Sequence, residues 1–150
     1  MSLCPRESSQ SSRKEKAWMS YLIDTNICIY LINKRPQNII DKVHVLGAEQ
    51  ILISSITVAE LEYGISKSAS SLENKRKLEM FLLPFEILVF DKKASEKYGN
   101  LRIGLEKRGE LIGPLDMLIA AQALAHSMTV VTNNEKGFRR VKGLSVENWV

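Results

Sequence analysis

Three acids in this chain have the residue types and settings that could do chemistry. Asp24 ends the apolar run YLI and precedes Thr25-Asn26, Glu60 lies one turn into the segment after ILISS, and Asp116 falls in the first turn of a segment opened by Pro114. Asp24 follows a run that reads as a buried strand, and open α/β sheets place their ligands at the carboxyl ends of such strands. Carboxylates brought together repel and raise one another's pKa, so a cluster points to a bound cation or a shared proton. An all-oxygen donor set suits magnesium or manganese, which keep places for water and phosphate oxygens. Such a site can both make water a nucleophile and stabilise a pentacovalent phosphate. Each acid also has a plainer role. Asp24-Thr25-Asn26 is good turn and helix-cap material, Glu60 and Glu62 fit a solvated helix face, and Asp116 would favour the positive end of its helix. What argues for chemistry is the recurrence of acids at successive strand-helix junctions, since alternating strands and helices bring every strand end to one edge of a parallel sheet.

The elements that must position these acids are legible as apolar runs alternating with segments of helical period. Strands are expected near 20–24, 50–54, 86–90, 128–132 and 144–147. Thr25 is placed to cap a helix reaching Leu31, and Pro36 to start another ending at Leu46 before Gly47. Ser55 or Thr57 would open the helix that carries Glu60. A further helix spans Ser71 to Leu82 and ends before Pro84. Asp91 caps a long helix from Lys92 to Lys107 that Gly109 terminates. The segment after Pro114, with LIAAQALA, is apolar enough to require burial on most sides. There are no repeats and no internal linker.

At 150 residues, 45% apolar and 25% charged, the chain has the length and composition of one globular domain that needs no disulfide or metal staple. Residues 1–18 are expected to be a flexible extension, with Met19 an alternative initiator, and 19–150 the single folded domain. The extension lacks the apolar centre of a signal peptide, and no segment is long enough to span a bilayer. Cys4 and Cys28 are too few for a disulfide framework, and Cys28 within ICIYLI reads as a buried thiol in a reduced, cytoplasmic protein. The formal charge of +4 permits a polyanionic partner without demanding one.

The blocks DTNICIYLI, SSITVAELEYGISKS, IGPLDMLIAAQALAHSMTVVTNN and GFRRVKGLSVENW resemble the successive blocks of the PIN-domain family, most of all the VapC-type toxins of bacterial toxin-antitoxin pairs. The resemblance covers residues 20 to 150. It implies a three-layer α/β/α sandwich with a central, mostly parallel sheet. It also implies a magnesium- or manganese-dependent endoribonuclease that cuts structured RNA such as transfer RNA. The implied assembly is a homodimer, forming a heterotetramer or larger complex with a VapB-type antitoxin whose carboxyl-terminal segment fills the active-site groove. Carried over by position, Asp24, Glu60 and Asp116 match the family's acids, with Asp24 and Asp116 as metal ligands. Thr25 and Asn26 match residues supporting the first acid, and Thr132 the hydroxyl at the last strand's end. Many relatives carry a fourth acid where this chain has Asn134. A neutral amide brings no charge to a second cation, so one well-held metal is expected, with Asn134 in a supporting place and Glu135 a weaker substitute.

Positive charge near the groove would serve RNA, and Arg102, Lys107-Arg108 and Arg139-Arg140-Lys142 are placed to flank it, Arg102 foremost. Tyr63, Tyr98 and Trp149 could stack on bases. His44 and His126 lack ligand partners at close spacing, and His126 suits a helix end. The helix ITVAELEYGI and the region from Ser71 to Pro84 are expected to supply the dimer face and an antitoxin groove. Other classes fit less well. A phosphatase of the haloacid dehalogenase type needs an acid where Asn26 stands, a receiver domain needs an acidic pair and a late lysine, and no glycine-rich loop is present to cradle a nucleotide. The non-enzyme alternative is a PIN-fold module that binds RNA or protein without cutting, the absent fourth acid being its motive.

Overall fold

The runs YLI, ILIS and TVV are too short for helices and rich in branched residues, and they form the centre of one sheet. The computed structural model describes residues 20–150; the expected extension, Cys4 and Met19 lie outside them. The strands are β1 Tyr21–Ile23, β2 Ile51–Ser54, β3 Glu86–Leu88, β4 Thr129–Val131 and β5 Ser145–Glu147, in the spatial order β3-β2-β1-β4-β5. Every pairing is parallel, so the sheet is parallel throughout where the sequence suggests mostly so. Successive side chains leave opposite faces. Leu22, Leu52, Val130 and Val146 therefore pack together on one face against Met117, Ile119, Ala120 and Ala123. Ile23, Ile51, Ile53 and Val131 pack on the other against Ile27, Cys28, Leu61 and Leu78.

Helices cover both faces, which gives the expected three layers. Helices α1 Thr25–Ile32, α2 Gln37–Leu46, α3 Ser55–Lys67 and α4 Ser71–Leu82 contribute to the second core; α5 Lys92–Lys107 and α6 Pro114–Ala125 contribute to the first. A single turn, α7 Glu135–Phe138, follows β4; it is too short for a helical period to announce it in the sequence. Helix α6 is buried along most of its surface, and its one buried polar residue, Gln122, is satisfied by Ser54 and by the Leu88 carbonyl at 3.0 Å. An amide left unpaired there would cost about 1–3 kcal/mol, so this bridge fixes α6 against the ends of β2 and β3.

Three local expectations are corrected. Asp24, not Thr25, caps α1, accepting from the Ile27 backbone N–H at 3.0 Å. Ser54, not Ser55 or Thr57, caps α3 by accepting from Ile56 N. Pro36 sits at the cap position of α2, which begins at Gln37. In each case the cap belongs to the residue still extended at the strand or loop end; for Asp24 and Ser54 that is where a side-chain oxygen can fold forward onto the first turn. Asp91, Gly109 and Pro114 stand where expected, Gly109 with φ +65°. Among the described residues no helix is long and apolar enough to cross a membrane.

Strand order decides where a site can form. The chain proceeds outward from β1 through β2 to β3, then returns to place β4 on the other side of β1. That reversal leaves a crevice beyond the carboxyl ends of β1 and β4. Asp24 and Thr132 directly follow those two strands.

Candidate active site

Asp24 is 4% exposed. Its backbone N–H continues the sheet by donating to the Val131 carbonyl at 3.0 Å. One carboxylate oxygen caps α1, and the other accepts from the Thr132 hydroxyl at 2.5 Å. Thr132 is fully buried and accepts in turn from the Asn134 backbone N–H at 2.8 Å. The first acid is thus fixed in two directions, by the first turn of α1 and by the end of β4.

Glu60 reaches the same edge from the second turn of α3. Its Oε1 lies 2.7 Å from the Thr25 hydroxyl, which lies 3.2 Å from the hydroxyl of buried Thr57. A carboxylate has no proton to give, so Thr25 donates to Glu60 and Thr57 donates to Thr25. In the sequence Thr57 stands out only as a candidate helix start. Its spacing of about one turn before Glu60 is the available signal, but pairing with Thr25 requires the third dimension.

Asp116 projects from the first turn of α6, half-buried, and its Oδ2 lies 3.5 Å from Asn134 Nδ2. The Asn134 amide rests over Gly137, where a Cβ would stand 2.8 Å from Nδ2. Asn26 joins the assembly through Asn133: Asn26 Nδ2 donates to Asn133 Oδ1 at 3.4 Å, and Asn133 Nδ2 donates to the Tyr30 hydroxyl at 2.7 Å. Sequence reasoning misses Asn133 and Tyr30 because neither is an acid nor ends an element. Together they tie α1 to the turn that carries Thr132 and Asn134.

Asp24 and Asp116 feel the charge of neighbouring acids. Burial is the main cause pushing Asp24 above the ordinary carboxylate range, opposed by the bonds from Thr132 and Ile27, with the charges of Asp116 and Glu60 raising it further. Asp116 is raised by burial and then by Glu60, against the Asn134 amide. Carboxylates gathered in this way gain from a cation that neutralises them. Among the described residues no group of three or more His, Cys, Asp or Glu is set to hold a metal ion by itself. Magnesium takes one or two carboxylates and completes its shell with water and phosphate oxygens. The hard oxygen donors of Asp24 and Asp116 fit such an ion.

A groove of about 480 Å³ leads away from the acids between α1, α3 and α4, lined by Thr25, Asn26 and Glu60 at one end and by Ile29, Tyr63 and Leu78 along its length. It contains much of the surface expected to dock a partner, and Tyr63, Leu72, Met80 and Leu83 of the same region are exposed. The other expected RNA contacts differ in how free they are, several exposed cations being engaged within the chain. Arg102 donates to Tyr98 at 2.7 Å and to Glu106 at 3.0 Å, both on its own helix. Trp149 is buried edge-on against Tyr21, so it is unavailable for stacking. Tyr63 is 66% exposed with Lys67 Nζ 4.6 Å from its ring centre. Glu135 starts α7 beside Arg139 at 3.6 Å. His126 caps the end of α6 and contacts Asp91 at 2.9 Å. Cys28 is buried, and that burial lifts its thiol well above the usual range.

Asp24 follows β1 and Glu60 the β2-α3 junction, whereas Asp116, against the expectation, opens a helix that follows helix α5 and not a strand. A parallel sheet with these three acids facing its switch point is the architecture of a PIN-type nuclease. Residues 21–144 match the PIN domain, and the chain belongs to that family, in its VapC branch. It is 47% identical over 132 residues to Ribonuclease VapC2 of Rickettsia felis, covering 87% of this chain and 98% of the relative. It is 36% identical over 131 residues to the tRNA(fMet)-specific endonuclease VapC of Salmonella typhimurium, covering 87% and 98%. The crystal structure of VapBC2 from Rickettsia felis bound to a promoter DNA fragment contains a chain that superposes with a TM-score of 0.83 at 46% identity, covering 88% of this chain and 100% of that one.

Proposed function

We propose that the protein is a magnesium- or manganese-dependent endoribonuclease, the toxin of a toxin-antitoxin pair, that cleaves structured RNA of the transfer RNA type. The observation that carries this reading is the convergence of Asp24, Glu60 and Asp116 from three separate junctions onto one half-buried edge, where their charges act on one another. Asp24 and Asp116 would hold the cation. When bound, the ion supplies positive charge to the scissile phosphate and makes a nearby water more acidic. Glu60, held by Thr25 and Thr57, orients the attacking water and takes its proton. Thr132 fixes Asp24, and Asn134 steadies Asp116. In-line attack of that water on phosphorus breaks the bond to the 3′ oxygen, which takes a proton from solvent water and leaves as a 3′-hydroxyl; the other product carries a 5′-phosphate.

The relatives named for VapC and the VapBC complex support a VapB-type antitoxin as partner, and the groove beside Glu60 has the size and apolar length to receive a peptide segment. A homodimer and a cytoplasmic setting belong to the same reading, since the substrate and the antitoxin are both made there. The test is cleavage of total transfer RNA by antitoxin-free protein with magnesium, manganese or chelator. Products with 5′-phosphate ends should appear only with metal, and Asp24→Asn should lower the rate at least about a hundredfold. Folded protein that cuts no RNA with either metal would leave the binding module as the better account.

A further inference from the structure

Two arginines that the sequence offers as RNA contacts spend donors on the protein's own backbone. Arg108 ends α5; its Nη2 donates to the Arg140 carbonyl at 2.8 Å and its Nε to Glu110 Oε1 at 3.3 Å. Arg140 follows α7, and its Nη1 donates to the Leu111 carbonyl at 3.1 Å. Leu111 belongs to the segment 110–113, which pairs with no strand and runs directly into Pro114 and the turn bearing Asp116. The two guanidinium groups therefore connect the end of α5, the chain after α7 and the approach to α6. Those same pieces of chain meet again at the site, where Asn134 before α7 faces Asp116 in α6.

We infer that Arg108 and Arg140 form a clamp that positions Asp116 and Asn134 for the reaction, acting through the backbone and not through RNA. Asp116 must be held near another carboxylate, against repulsion, by a helix start whose leading segment has no sheet partner. A guanidinium bonded to a carbonyl is a directional, charge-assisted contact suited to that task. Lysine keeps the charge but loses the planar fork. An Arg108→Lys change would therefore break the connection to Glu110 or to Arg140 while leaving the electrostatic field almost unaltered. The small size of Gly104 makes room for this fold-back, its absent Cβ position lying 3.4 Å from Arg108 Nη1.

This inference rests on the nuclease reading above, and the experiment separates the two. Single-turnover cleavage of transfer RNA with magnesium would be measured for the full-length protein and for D116N, R108K, R108A, R140K and R140A. RNA affinity would be measured for the arginine changes in the D24N background, and manganese binding by thermal shift without RNA. The clamp predicts that R108K, R108A and R140A lose about ten- to a hundredfold in the cleavage rate at saturating RNA, and R140K less, since one lysine donor can replace the single bond to Leu111. It predicts RNA affinity within about threefold of the parent and a weaker manganese-induced shift. Phosphate binding predicts the reverse: near-normal lysine variants, alanine variants that bind RNA less tightly with a flatter salt dependence, and full cleavage at saturation. That pattern would overturn the clamp. Should either alanine variant fail to fold, R108K decides. Normal clamp variants beside an inactive D116N refute the clamp alone, whereas a parent protein without metal-dependent cleavage refutes the site reading and the clamp with it.

Discussion

Replacing Thr132 by valine isolates one hydroxyl. The side chain is fully buried, and its shape is nearly kept by the substitution, so packing around it is little disturbed. Two bonds are lost: the one donated to Asp24 at 2.5 Å and the one accepted from the Asn134 N–H at 2.8 Å. The first goes to a buried carboxylate and is worth about 1.5–3 kcal/mol, the second about 0.5–1.5 kcal/mol because Asn134 is open to water. The sum, about 2–4.5 kcal/mol, corresponds to a fall in Tm of about 4–18 °C for a domain of this size. Urea unfolding of the metal-free protein should show a lower midpoint at unchanged slope, with Thr132→Ser close to the parent. The penalty should shrink by at least about 1 kcal/mol in an Asp24→Asn background, since the charged acceptor is gone. A valine variant within about 0.5 kcal/mol of the parent, or a penalty undiminished in the Asp24→Asn background, would refute the claim that this hydroxyl holds Asp24.

Asp24 and Asp116 have folded-state pKa values above the ordinary 3.8, so the folded protein binds their protons more tightly than the unfolded chain does. Their contribution to stability is complete below that value and is lost as pH rises through the raised one. Asp24→Asn is therefore expected to stabilise the metal-free protein at pH 7, the gain vanishing near pH 4 and shrinking when magnesium is added at neutral pH; a gain independent of pH would refute the burial argument. Gly137→Ala places a Cβ 2.8 Å from Asn134 Nδ2, so the exposed amide should swing away from Asp116. Stability should change by less than about 1 kcal/mol, as alanine's helix preference offsets the contact, while cleavage falls several-fold and a further Asn134→Ala adds nothing. Because water is the nucleophile, a substrate with a single 2′-deoxy sugar at the scissile position should still be cut within about tenfold of the ribose form; complete resistance would indicate attack by the 2′-hydroxyl.

The sequence by itself determined the strands, the alternation that makes the sheet parallel, the boundaries of most helices and the three acids. Those features are local: apolar runs with branched residues, Pro114 and Gly109 at helix ends, and acids close behind a strand or in the first turn of a helix all act through neighbours in the chain. The blocks around them were distinctive enough to resemble one family. Tertiary structure decided what depended on pairs far apart in sequence. Whether Thr25 caps a helix or holds Glu60 is settled by Thr57 and by Asp24 taking the cap itself. Asn133 acquires its place only because β4 returns beside β1 and brings its amide to Asn26 and Tyr30. Trp149, Arg108 and Arg140 looked available to RNA as residue types. The fold turned one inward and bonded the other two to backbone carbonyls. Residue type fixes what a side chain can donate or accept, and only the meeting of distant segments fixes which partner it finds.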